Sequence, residues 1–153
     1  MVILGPTATG KTALAVSAAR IMKAEIVSAD SRQIYRGLDI GTGKDLAEYC
    51  EGGEPVPYHL IDFLNPGDSY NTFQFKSDAT KVIRDIEGRG RLPLVCGGTG
   101  LYIESLLLDY HFSTATRQED FRREAEHMEN SVLARQIEVL GGELSNEDNA
   151  NRH

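Results

Sequence analysis

The chain has 153 residues, 41% of them hydrophobic, with five prolines and a formal net charge of −7. That length supports one domain with a real core, the composition excludes a disordered chain, and no apolar run approaches the ~20 residues of a membrane-spanning helix. An acidic chain is not an indiscriminate polyanion binder, although a local basic groove is compatible with it because salt screens all but nearby charge. Cys50 and Cys96 stand far apart in no metal or redox spacing and read as free thiols, which places the protein in a reducing compartment, the cytoplasm.

Val2-Ile3-Leu4 predicts a short apolar strand, with no leader segment expected ahead of it. Gly5-Pro6-Thr7-Ala8-Thr9-Gly10-Lys11-Thr12 follows, satisfying G-x-x-x-x-G-K-[ST] at every fixed position between a strand and a helix. The chemistry of that pattern is anion capture. Gly5 and Gly10 let backbone N–H groups turn inward, the helix N-terminus adds partial positive charge, Lys11 brings a cation, and the Thr12 hydroxyl is placed to ligate Mg²⁺. Leu14, Ala18, Ile21 and Met22 recur at helical spacing, predicting a helix from about Lys11 to Lys23.

Glu25 to Asp30 reads as a buried strand ending in a carboxylate, and Ser31 to Leu38 as one or two helical turns closed by Gly37. Residues 41–57, rich in glycine, proline and polar side chains, read as a loop or excursion. Tyr58 to Phe63 predicts a third strand, and Asn65-Pro66-Gly67-Asp68 a turn. Asn71 and Gln74 stand in capping-box spacing ahead of a helix whose buried stripe is Phe75, Ala79, Val82, Ile83 and Ile86, ended by Gly88 and Gly90. Leu92 to Cys96 is a fourth strand, running through Gly97-Gly98-Thr99-Gly100 into a helix from Leu101 to about Leu108.

Strands alternating with helices predict an α/β fold, a P-loop NTPase-like parallel sheet with flanking helices, whose ligands gather at the carboxyl ends of the strands. Residues 1–110 form this core. Residues 111–153 are expected to be a peripheral helical segment: Thr116 and Glu119 stand in capping-box spacing, Phe121, Ala125, Met128 and Val132 follow a helical period, and Ser145 opens one more helix.

A phosphate loop does not by itself name a reaction. The strand Leu94–Cys96 ends in glycines and so offers no carboxylate for a metal, which leaves Asp30 and Asp62. Asp30 reads either as a general base near a phosphate ester or as an N-cap of the turn that follows. Asp62 reads as structural or as an outer-sphere metal partner. Thr99 offers a hydroxyl to a leaving group or base, or else caps its helix. Arg32, Arg36 and Lys44 meet either a polyanion or solvent, as do Arg122 and Arg123. His59 reads as a satisfied, half-buried histidine.

Four stretches together resemble the tRNA dimethylallyltransferase (isopentenyl-pyrophosphate transferase) family: GPTATGKTALA at 5–15, SADSRQIYRGLDIGTGK at 28–44, YHLIDFLNPGDSYN at 58–71 and GRLPLVCGGTGLYI at 90–103. The second is the most specific of them. The resemblance implies that the loop Gly5–Thr12 holds the diphosphate of dimethylallyl diphosphate with Mg²⁺, without ATP hydrolysis. It implies that Asp30 is the general base for N6 of an anticodon-loop adenine, that Asp30, Ser31, Arg32 and Gln33 contact tRNA, and that Thr99 lines the channel where adenine meets diphosphate. Lys11 then assists the leaving group. Arg122 matches an arginine of a helical insertion that grips tRNA. Members of the family continue past His153 into an R-x-x-R-A-L-E-type stretch, so a truncated chain is expected, acting as a monomer away from membranes. Outside the resemblance, the residues also suit a P-loop small-molecule kinase, an adenylate isopentenyltransferase, or a relic that binds diphosphate and nothing else.

Overall fold

The computed structural model describes residues 1–108 and 119–141, with the backbone alone for 119–122. Two compact units divide the chain, Met1–Phe112 and Ser113–His153. In the first, four parallel strands, β1 (Val2–Leu4), β2 (Ala24–Ser28), β3 (Tyr58–His59) and β4 (Leu92–Gly97), lie in the order β1-β4-β2-β3. Three helices accompany them: α1 (Lys11–Met22), α2 (Thr72–Gly88) and α3 (Gly100–Leu107).

The alternation of side chains along the central strands builds two cores. Ala24 and Ile26 of β2 with Leu94 and Cys96 of β4 face Ala15, Val16 and Ala19 of α1. Val27 and Val95 point the other way, against Phe75, Ala79 and Ile86 of α2 and Tyr102 and Ile103 of α3. All five residues of β2 are buried, as expected of a parallel strand covered on both faces. The capping box of α2 forms as spelled: Gln74 N–H donates to Asn71 Oδ1 at 2.9 Å, and Asn71 N–H to Gln74 Oε1 at 2.9 Å. Phe75, Ala79 and Ile86 are the fully buried members of its stripe, with Val82 and Ile83 half-buried.

Three segments differ from the sequence reading. The third strand stops at His59, because Leu60 and Asp62 take left-handed backbone, φ 60° and 53°. Beyond them the chain pairs elsewhere: Phe63 and Leu64 N–H both donate to the Ile34 carbonyl at 3.0 Å, and Arg36 N–H donates to the Leu64 carbonyl at 2.8 Å. That pairing consumes the backbone groups of residues 33–36, so Ser31–Gly37 forms turns where helical turns were expected. The excursion at 41–57 contains a 3₁₀ turn, Ala47–Tyr49, started by Asp45 Oδ1 accepting from Ala47 N–H at 3.1 Å.

In the second unit, α4 (Glu119–Glu126) and α5 (Asn130–Val139) interrupt the expected stripe at residues 127–129, and Val132 is exposed. Thr116, the Phe121 side chain and Ser145 lie outside the described residues.

Candidate functional site at the carboxyl ends of the strands

The phosphate loop leaves β1 and enters α1 with Ala8 and Gly10 in left-handed backbone, φ 62° and 79°. Gly5, expected to share that role, does not adopt it; Ala8 does. The Thr9 hydroxyl donates to the Pro6 carbonyl at 2.8 Å, and Lys11 Nζ donates to the same oxygen. The lysine therefore rests against its own loop.

A cavity of about 180 Å³ opens above this loop. It is lined by Thr7 to Thr12 of the loop, by Asp30, Gln33, Cys96 and Gly97 from the ends of β2 and β4, and by Thr42, Gly43, Asp45, Glu48 and Tyr49 of the excursion. Asp30 is 9% exposed at the end of β2. Its Oδ1 accepts from Arg32 N–H at 2.9 Å, an Asx turn with no helix behind it. Arg32 Nη2 donates to Thr7 Oγ1 at 2.9 Å, and Arg32 Nε stands 3.8 Å from Asp30 Oδ1, so one guanidinium joins the aspartate to the phosphate loop.

Two glycines make room for this aspartate. A Cβ on Gly97 would overlap the carbonyl of Ala29, and one on Gly98 would sit 3.8 Å from Asp30 Oδ2. Gln33 is steered by Ser28 Oγ, which donates to its Oε1 at 3.4 Å, and by the Gly43 carbonyl, which accepts from its Nε2 at 3.1 Å. Thr99 does not line the cavity. Its Oγ1 accepts from Ser31 N–H at 3.0 Å and donates to Ser31 Oγ at 3.3 Å, while its own N–H donates to the Ala29 carbonyl at 3.1 Å. The hydroxyl makes no cap bond to α3, and it ties the residue after Asp30 to the β4–α3 turn.

Several expected contributors are committed elsewhere. Lys44, 8% exposed, pairs with Asp39 at 2.7 Å and with Asp62, and donates to the Tyr35 carbonyl at 3.0 Å. Burial opposes its charge, but bonds to the two aspartates outweigh burial and hold its pKa above the ordinary lysine range. Lys44 and Asp62 are thus a structural pair. Arg36 donates to the Asp62 carbonyl at 3.0 Å. His59 Nε2 lies 2.7 Å from Glu25 Oε2. Burial pushes the Cys96 thiol up to about 11 against the pull of Lys11, so it is not a nucleophile at neutral pH. The Arg122 side chain lies outside the described residues.

The wall of Asp45, Glu48 and Tyr49 is what the sequence reading missed. Its one local signal was Asp45 two residues ahead of Ala47, which caps a turn. Thr12, Asp30, Asp45 and Glu48 present hard oxygen donors, a set that suits Mg²⁺. Among the described residues no three acidic, histidine or cysteine side chains gather closely enough to hold a metal alone, so a cation here also needs ligand oxygens.

Residues 33–152 match the family model described as IPP transferase, and residues 1–56 match that for isopentenyl transferase. The chain belongs to the IPP transferase family. Among the relatives of this chain, tRNA dimethylallyltransferase 1 of Geotalea uraniireducens is 47% identical over 95% of this chain and 47% of its own length. The full-length tRNA isopentenylpyrophosphate transferase of Bacillus halodurans superposes with a TM-score of 0.69 at 39% identity, over 91% of this chain and 46% of its own. A eukaryotic dimethylallyltransferase acting on tRNA superposes with a TM-score of 0.76 at 27% identity, over 89% of this chain and 34% of its own. The P-loop NTPase-like fold is therefore shared across the family, and the chain spans about half the length of the curated relatives it matches.

Proposed function

We propose that this chain supplies the diphosphate-binding and base-activating parts of a tRNA dimethylallyltransferase, which moves the dimethylallyl group of dimethylallyl diphosphate to N6 of the anticodon-loop adenine at position 37. The observation that carries this reading is the meeting of the phosphate loop and the Asp30 carboxylate in one cavity, joined through Arg32. The loop amides and Lys11 bind and orient the diphosphate. Asp30 orients the exocyclic amine and accepts its proton as N6 attacks the allylic C1; the C1–O bond breaks and its electron pair leaves on the diphosphate. Thr12 and a neighbouring carboxylate would hold Mg²⁺, which would supply positive charge beside the leaving group. Arg32 and Gln33 meet the entering base, Ser31 and Thr99 hold the turn that carries Asp30, and an unstacked loop of RNA lowers the cost of entry.

In this reading residues 111–153 begin a tRNA-binding insertion in which Arg122 grips the phosphate backbone, and the enzyme works in the cytoplasm, as its two free cysteines suit. The family relationship supports it through relatives whose names specify tRNA and dimethylallyl transfer. The test is a labelled-prenyl transfer assay offering an anticodon stem-loop, AMP and ATP side by side. Label on the stem-loop alone is the expected result. Label on AMP, or phosphoryl transfer from ATP, overturns the reading.

A further inference from the structure

We infer that the Tyr49 hydroxyl is a further positioning donor for the bound ligand, reaching the diphosphate from the excursion that shares the cavity with the phosphate loop. This rests on the reading that the loop holds a diphosphate.

Three observations meet at this residue. Tyr49 is 5% exposed and packs into the core between α1 and the sheet, yet it also lines the 180 Å³ cavity. Its hydroxyl has no hydrogen-bond partner among the described residues, whereas every fully enclosed side-chain nitrogen or oxygen among them has one. The phenol oxygen therefore reaches open space, and the cavity borders the residue. A tyrosine hydroxyl left without a protein partner at a cavity is free to donate to whatever enters it, which phenylalanine could not do.

The ring itself is held firmly. Its centroid lies 4.6 Å from that of Tyr58, and the Tyr49 carbonyl accepts from Val56 N–H at 2.8 Å. Arg20 of α1 donates to the Glu54 carbonyl at 3.1 Å and to the Glu51 carbonyl, fastening the excursion that carries Tyr49 onto the helix that follows the loop. Burial first, then the nearby Cys96, Glu48, Tyr58 and Asp30, keeps the phenol protonated well above its ordinary range. It is thus a neutral donor at any working pH. Asp30, Asp45 and Glu48, which share the cavity, accept only when ionised and cannot serve an anion in that way. In a cavity of about 180 Å³ that both the loop and Tyr49 line, a ligand seated on the loop lies close to Tyr49 as well.

The test is Tyr49→Phe in this chain, which keeps the ring and removes only the oxygen. Binding of inorganic diphosphate with Mg²⁺ and of inorganic orthophosphate is measured by calorimetry, alongside the melting temperature. The expected result is a loss of about ten-fold or more in diphosphate affinity, the scale of a hydrogen bond to a charged acceptor. That loss holds equally at pH 6 and pH 9, with an unchanged melting temperature and a less than two-fold change for orthophosphate, which fills the loop without spanning the cavity. Parental diphosphate affinity in Y49F overturns the inference alone, and so does an equal loss for both anions accompanied by a lower melting temperature. A parent chain that binds no diphosphate overturns the underlying reading together with this inference.

Discussion

One strand, β2, carries a buried carboxylate near each end, and the two have opposite fates. Glu25, at the amino end, is 4% exposed and enclosed by two arginines and a histidine: Arg89 Nη2 and His59 Nε2 at 2.7 Å and Arg91 Nε at 3.4 Å. Asp30, just past the carboxyl end, is nearly as buried but has one oxygen held by Arg32 N–H, while the other faces Gly98. The first joins β2, β3 and the exit of α2 into one body, with its bonding capacity used up. The second keeps bonding capacity for something that is not protein. A buried charge completed by its own fold is architecture, and one left incomplete at the mouth of a cavity is chemistry.

Mutating the two ends should separate these roles. Asp30→Ala is expected to lower prenyl transfer to an anticodon stem-loop by about 10³-fold or more, as for loss of a general base, while diphosphate affinity in calorimetry stays within a few-fold of the parent. Normal turnover in D30A would show that the amino-end and carboxyl-end carboxylates are equally structural. Gly97→Ala tests the space around Asp30. The new methyl collides with backbone at Ala29, so we expect a loss of about 3 kcal/mol in denaturant unfolding and failure of diphosphate binding together. Glu25→Gln has the smallest effect, about 2 kcal/mol, because the arginines and His59 around it are partly exposed and can rehydrate; diphosphate affinity should be untouched.

The same contrast has a pH signature. Burial works against ionised Glu25, but hydrogen bonds and charge from His59 and Arg89 prevail and hold its carboxyl below the ordinary range. A carboxylate lowered in the fold adds stability above its unfolded pKa of about 4.3 and loses it as pH falls through the folded value. Parent chain titrated by circular dichroism from pH 6 to pH 3 should lose stability along that limb, and E25Q should lose less.

Much of this was legible in the sequence, and what was not has a common cause. The phosphate loop, the capping box at Asn71 and Gln74 and the alternation of Ile26, Val27, Leu94 and Val95 are local patterns, and the fold obeyed them. The turn at Ser31–Gly37 and the short β3 were not legible because residues 33–36 bond to residues 61–64, a pairing no local spacing announces. Lys44 looked like a mouth cation, yet distant Asp62 consumes it. Asp30 could be picked out as the acid after a buried strand. Tyr49 could not, since it reaches the cavity only because Arg20 draws a glycine-rich excursion down onto α1.

The outermost position of β1 has a mechanical corollary. Among the described residues the strand that leads into the phosphate-loop motif is zipped to β4 alone, over three register pairs, with Val2 and Leu4 exposed. The loop's hold on the sheet therefore passes through β4, and whatever loosens that pairing loosens the loop with it.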